Sequence, residues 1–247
     1  LDALEKTAEE LLELTGGDPG LGAGIVVDCP IAWALMAKSV ALRERDRPQE
    51  AAELLDEALR LAGEHDDPET EGWARGSKSL LVADRGEFEA AMALARRNCE
   101  LTEQLGDVFS RSTALTSMAY VQHEAGDDEA ALETIERADR IYREAMGSGG
   151  ETEAWRSTLR ARALLGLGLA DNALEEANWA VDTARRREMG WQIPVALHTL
   201  AQARAAAGAA GVEEALDEAA EAASSRGHVM TLRKIEANRT SLLAAAP

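Results

Sequence analysis

Apolar residues recur at three- and four-residue intervals along almost the whole chain, in blocks of about 15 residues parted by short turns. Leu1, Leu4, Ala8, Leu11 and Leu12 open the series, and Thr15-Gly16-Gly17-Asp18-Pro19-Gly20 stops it. Residues 20–30 then read as a loop with a short apolar run, Ile25-Val26-Val27. Paired helices are predicted over 31–45 and 48–62, 69–85 and 87–104, 110–124 and 128–145, 151–167 and 171–188, and 193–207 and 212–225. Pro48, two places after Asp46, reads as a cap followed by a helix-starting proline. Gly147-Ser148-Gly149-Gly150 reads as the most flexible linker. A last helix over 229–244 carries Val229, Leu232, Ile235, Arg239 and Leu242 on one side. No segment reads as a strand.

The blocks repeat. Aligning the small residue that opens each second helix gives Ala51, Ala91, Ala131, Ala173 and Ala215, in steps of 40, 40, 42 and 42. Seven residues after each stand Ala58, Asn98, Ala138, Ala180 and Ala222; five before stand Asp46, Gly86, Gly126, Gly168 and Ala210. Positions seven apart lie two turns up one helix face, so each small pair marks a close helix crossing. Asn98 breaks that rule, and Asp46 and Ala210 replace the turn glycine. A recurrence of this length belongs to stacked supersecondary units. The fold class expected is all-α, a right-handed superhelical solenoid of antiparallel helix pairs. A single repeat domain over 1–247 is expected, with 1–15 the second helix of a truncated repeat, 31–225 five pairs and 228–245 a capping helix.

Composition refines this picture. The chain is 46% hydrophobic but 4% aromatic, so Ala and Leu, strong helix formers, must build thin, closely packed layers. Net charge is −19, from 45 acidic and 26 basic residues, which opposes the counterion-releasing contacts of nucleic-acid binding. Arg96-Arg97 and Arg185-Arg186-Arg187 fall late in predicted helices, where they complement the macrodipole. Cys29 and Cys99 form no CxxC pair and no disulfide framework, and a reducing cytoplasm is the natural inference. No apolar run approaches the ~18 residues of a membrane span, and no secretion signal opens the chain. Leu1 in place of Met suggests a piece of a longer polypeptide.

The second-helix segments 47–59 and 126–138 resemble tetratricopeptide repeats through the small–large–small pattern Ala51/Leu55/Ala58 and Ala131/Ile135/Ala138. The period exceeds the usual ~34 of those repeats by about one turn per helix. Further landmarks, namely residues 16–24, Trp33-Ala34-Leu35, residues 64–73 and residues 105–111, resemble the C-terminal repeats of large bacterial signalling ATPases. Those include class III adenylate/guanylate cyclases fused to an AAA-like ATPase, and transcriptional activators of the maltotriose-sensing type. The resemblance implies a regulatory region that receives a ligand or partner while the output modules lie elsewhere.

Trp33, Trp73 and Trp155 each stand 18 residues before an aligned alanine, with Thr113 and Leu197 in the other repeats. Either they form an aromatic ladder on an inner face, or each packs against a neighbouring repeat and buries its large area there. Met36, Val40 and Arg43 share that face by helical spacing, as do Leu80, Tyr120, His123, Arg162 and Arg204 further along. Such a groove, apolar turning basic, suits an anionic or amphipathic peptide; a mixed, partly solvated face is the plainer alternative. No Lys/Asn/Arg cluster of the kind that holds a C-terminal carboxylate stands at matching positions.

Catalytic carriers are missing from the pattern. Gly20-Leu21-Gly22-Ala23-Gly24 follows no strand and lacks the Lys-Ser/Thr of a phosphate loop. His65, His123, His198 and His228 have no paired-ligand spacing, His123-Glu124 is the nearest acid/base pair, and no serine elbow exists. The expectation is a non-catalytic regulatory domain without cofactor or metal. It would bind a protein or peptide, such as the ATPase domain of a parent chain, and no nucleic acid or membrane, with a homodimer through the unpaired first helix. The alternative is a small-molecule inducer sensor using the inner groove.

Overall fold

The computed structural model describes residues 1–25, 27–147 and 152–245. Val26, the linker residues Ser148, Gly149 and Gly150, the expected helix start at Glu151, and the last two residues lie outside these. Twelve α-helices and no strand occur among the described residues: α1 Asp2–Thr15, α2 Pro30–Glu44, α3 Pro48–Glu64, α4 Pro68–Asp84, α5 Phe88–Leu105, α6 Val108–Glu124, α7 Asp128–Met146, α8 Glu153–Gly166, α9 Ala170–Arg186, α10 Ile193–Ala206, α11 Val212–Ser225 and α12 Val229–Ala245. They are the helix pairs expected from the apolar pattern.

The chain divides into two compact units, Leu1–Ala125 and Gly126–Pro247. In the first, each helix packs on the next in sequence, and in addition α2 touches α4 and α4 touches α6, whereas α3 and α5 do not meet. The second unit repeats the arrangement: α8 touches α10 and α10 touches α12, while α9 and α11 stay apart. First helices therefore make a continuous inner layer in each unit, and second helices fan outward from it. The boundary between units falls between α6 and α7, within the third repeat.

The small-residue stripe is buried throughout. Ala51, Ala58, Ala91, Ala131, Ala138, Ala173 and Ala180 have no exposed surface, and Ala215 and Ala222 little. Larger side chains fill the layers between: Leu55, Leu81 and Met36 in the first unit, and Leu197, Leu216 and Ile235 in the second. On α12 the buried side is Met230, Thr231 and Ile235, with Leu232 and Leu242 packed against the core, whereas Val229 is 47% exposed. Val229 thus leaves the stripe expected for it, because it begins the helix where no preceding turn covers it.

Asn98 is accommodated from the opposite side of its crossing. It is buried at the interface of α5 with α4, where two glycines stand. A Cβ on Gly72 would lie 3.2 Å from Asn98 Oδ1, and one on Gly76 would lie 3.0 Å from Asn98 Nδ2 and 3.3 Å from Ser117 Oγ. The volume the second helix gained was removed from the first, keeping the crossing close at the cost of two glycines inside a helix. Gly76→Ala is therefore expected to destabilise by about 1–3 kcal/mol through overpacking, despite alanine's better helix propensity. Combining it with Asn98→Ala should recover much of the loss, as a double-mutant cycle in urea would reveal; additive losses would refute the compensation.

The turn positions also shift from expectation. Asp46 does not cap α3; Arg47 occupies that place without a side-chain cap bond, and Asp46 itself takes the left-handed conformation at φ 59. It does the work of Gly86, Gly126 and Gly168, whose φ values are 77, 83 and 73, as Asp tolerates this region better than most residues. In the last pair Gly208 takes the left-handed turn instead of Ala210. Asp67, Asp107 and Asp127 are the genuine side-chain caps, accepting from the backbone N–H groups of Thr70, Ser110 and Ala130.

Candidate functional site in the layer of first helices

In the first unit the inner layer combines an apolar patch with a polar strap. Trp33, Val40 and Trp73 are half-buried against the cluster of Met36, Leu42, Leu55, Ala74 and Leu81. Trp33 also reaches Ala8, Ala34 and Ala37 beside Leu4, Leu11 and Leu12 of α1. Trp73 tilts onto Phe109 of α6, ring centroids 5.6 Å apart at 43°. Leu80 is half-buried on α4.

Tyr120 has a polar role that its place in the repeat did not announce. Its hydroxyl donates to Asp84 Oδ1 at 2.6 Å and accepts from Arg43 Nη2 at 3.0 Å, while Arg43 Nε donates to Asp84 Oδ2 at 2.6 Å and Nη1 to Glu44 at 3.0 Å. Three consecutive first helices, α2, α4 and α6, are tied by one carboxylate. Burial opposes the charge on Arg43, but Tyr120, Asp84 and Glu44 outweigh it and hold the guanidinium above its ordinary range. His123 sits half-buried in the last turn of α6.

The second unit carries a different polar core. Arg156, only 2% exposed, donates from Nε to Asp139 at 2.5 Å and from Nη1 to Thr152 at 2.5 Å, and its guanidinium lies 4.7 Å from the centroid of Tyr142. Arg160 pairs with the same Asp139 and with Glu176 at 2.6 Å. Trp155 is half-buried on α8. Arg204 closes the turn ahead of α11, donating to the Gly211 carbonyl at 2.7 Å. Arg162 stands half-buried on α8 and acts electrostatically on His198 of α10.

His198 is 7% exposed, and its Nε2 has no hydrogen-bond partner among the described residues. Burial, then the positive charges of Arg162 and Lys234, push its pKa from 6.5 down to about 4. The unfolded chain thus binds this proton more readily than the folded one between those values. Stability from a neutral His198 is complete above about pH 6.5 and is lost as pH falls toward 4, by roughly 3 kcal/mol in all. His198→Leu should flatten the pH dependence of the urea midpoint over that interval; an unchanged slope would show that His198 is not buried neutral.

Arg156 escaped the sequence reading, and His198 entered it only as one of four histidines without metal-ligand spacing, although a signal for both existed. Each stands 17 residues before its aligned alanine, where the first three repeats have Ala34, Ala74 and Ala114, all buried. Asp84 and Asp139 gave no such signal, since single carboxylates in helices are common on solvated faces. Among the described residues no group of His, Cys, Asp and Glu is arranged to hold a metal ion, and no helix is long and apolar enough to cross a membrane.

No family model matches the chain, and no curated protein matches it. Solved structures do. PlcR of Bacillus thuringiensis, in complex with the peptide PapR7 and DNA, superimposes at TM-score 0.65 with 14% identity over 97% of this chain and 98% of that one. A Rap protein complexed with competence and sporulation factor gives 0.64 with 15% identity over 98% of this chain and 69% of that one. A signal-transduction ATPase with numerous domains from Pyrococcus horikoshii, which has a tetratricopeptide repeat sensor, gives 0.56 with 15% identity over 98% of this chain and 37% of that one. The chain has the tetratricopeptide-repeat fold. At such identities the likeness concerns the fold alone.

Proposed function

We propose that the chain is a non-catalytic regulatory repeat domain that receives a protein or peptide segment along its first helices, as part of a bacterial cytoplasmic signalling or transcription-regulating protein. The observation that carries this reading is the inner layer of the first unit. There Trp33, Val40, Leu80 and Trp73 keep part of their surface open beside the Arg43–Asp84–Tyr120 strap. Half-open tryptophans beside a fixed polar group are the kind of anchor that dominates binding energy. Structural relatives solved with a peptide, PapR7 in PlcR, and with competence and sporulation factor in Rap, support the same use of the fold.

A parent chain's ATPase domain is the first partner to test, and the −19 charge argues against nucleic acid as a partner of this region. Isothermal titration of the whole chain against that domain and against peptides from it should give saturable binding. Trp73→Ala should weaken it by about 2 kcal/mol or more. Binding left intact by Trp33→Ala and Trp73→Ala together would remove the first-unit layer as the site. A small-molecule inducer acting in that layer would instead quench tryptophan fluorescence without any protein partner.

A further inference from the structure

The second unit contains a groove beside α7 and α8 whose described lining is wholly charged. It is a largely open depression of about 430 Å³, lined by Glu136, Asp139, Arg140, Arg143, Glu144 and Arg160. Its volume lies in the range of roughly 300–1,000 Å³ that small-molecule sites occupy. Two of the six are already committed. Asp139 accepts from buried Arg156, and Arg160 bridges Asp139 and Glu176. These contacts form a fixed floor, packed on Tyr142 and Thr152.

The other four are not committed in this way. Arg143 reaches Asp139 only at 3.5 Å and is 64% exposed. Arg140 stands one turn from both Glu136 and Glu144, the spacing that favours ion pairs on a helix. Among the described residues it pairs with neither, and neither glutamate finds another cation. Two guanidinium groups and two carboxylates are therefore presented together. An anion would be drawn by the first pair and repelled by the second; a cation meets the reverse. A molecule with both charges satisfies the whole rim.

We propose that the α7–α8 groove binds a free α-amino acid, its carboxylate held by Arg140 and Arg143 and its ammonium by Glu136 and Glu144. The forked guanidinium groups suit the planar carboxylate, and the floor of Asp139 and Arg160 beside them is fixed without any partner. The proposal does not rest on the partner-binding reading of the first unit.

The test is an NMR titration of the whole chain, following the arginine Nε–H signals, with each common α-amino acid in turn and with acetate and methylammonium as single-charge controls. At least one amino acid should shift Arg140 and Arg143 saturably, with the controls binding roughly tenfold more weakly or worse. Arg143→Gln/Glu144→Gln removes two exposed groups and should abolish that saturation while the melting temperature stays the same. Arg85→Gln, far from the groove in sequence and in the other unit, should leave the titration unchanged. Equal shifts with acetate would overturn the proposal, as would no saturable shift with any amino acid or saturation that survives the double substitution. Because the readout needs no protein partner, failure here is distinct from failure of the regulatory reading.

Discussion

Asp139→Ala is expected to destabilise the second unit by about 3–5 kcal/mol, the range found when a buried ion pair loses one member. The carboxylate is 7% exposed and neutralises Arg156, which is more deeply buried still, together with Arg160. Removing it leaves Arg156 with the Thr152 hydroxyl and the face of Tyr142 as its recorded partners. Neither supplies a countercharge. Glu153 acts on the guanidinium only from beyond hydrogen-bond reach, so the penalty is that of a buried cation left with a remote countercharge, and it exceeds any ordinary truncation of a surface aspartate. A double substitution, Asp139→Leu with Arg156→Met, should recover most of the loss, since apolar replacements of a buried pair are often neutral or better. Urea unfolding monitored by circular dichroism gives both values. A single-variant loss below about 1 kcal/mol would mean that Arg156 reaches water in the native state.

Asp84→Ala should cost about 3 kcal/mol in the first unit, somewhat less than Asp139→Ala. Glu44 remains to pair with Arg43 at 3.0 Å, so the cation is not left alone. Two hydrogen bonds at 2.6 Å are lost, one from Arg43 and one from the Tyr120 hydroxyl. Tyr120→Phe deletes only the hydroxyl and should cost about 1 kcal/mol. The ordering of the two variants is the informative result: if Tyr120→Phe were the more damaging, the hydroxyl and not the carboxylate would be the centre of the strap. Because Asp84 joins α2 to α6 through α4, its loss should also raise amide exchange in the inner layer of the first unit more than in α3.

The sequence made the helix pairs legible because burial in a stacked array is periodic. Small residues at Ala51/Ala58 and their equivalents, apolar residues at helical spacing and turn glycines at fixed offsets all restate one local rule. Departures were harder to interpret. Asn98 looked like a degenerate repeat, yet its accommodation lies in Gly72 and Gly76, which in isolation read as weak points of α4. Asp46 looked like a cap because aspartate favours that role, but the close return of α3 onto α2 required a left-handed residue there. Among the residues proposed to line a groove, Trp33, Met36, Val40 and Trp73 meet around one cluster, whereas Arg204 is engaged with its own turn.

By itself the order of residues determined which segments coil, which side of each is small enough for a close crossing, and that the crossings recur every 40 to 42 residues. Only the tertiary structure decided which charges meet: Arg43 with Asp84, Arg156 with Asp139, and His198 near Arg162 and Lys234. The physical reason is that periodicity fixes the face of a helix to within a turn. Ion pairs depend on helix crossing and side-chain rotamer at the scale of one ångström, and those are set jointly by neighbours a whole repeat away.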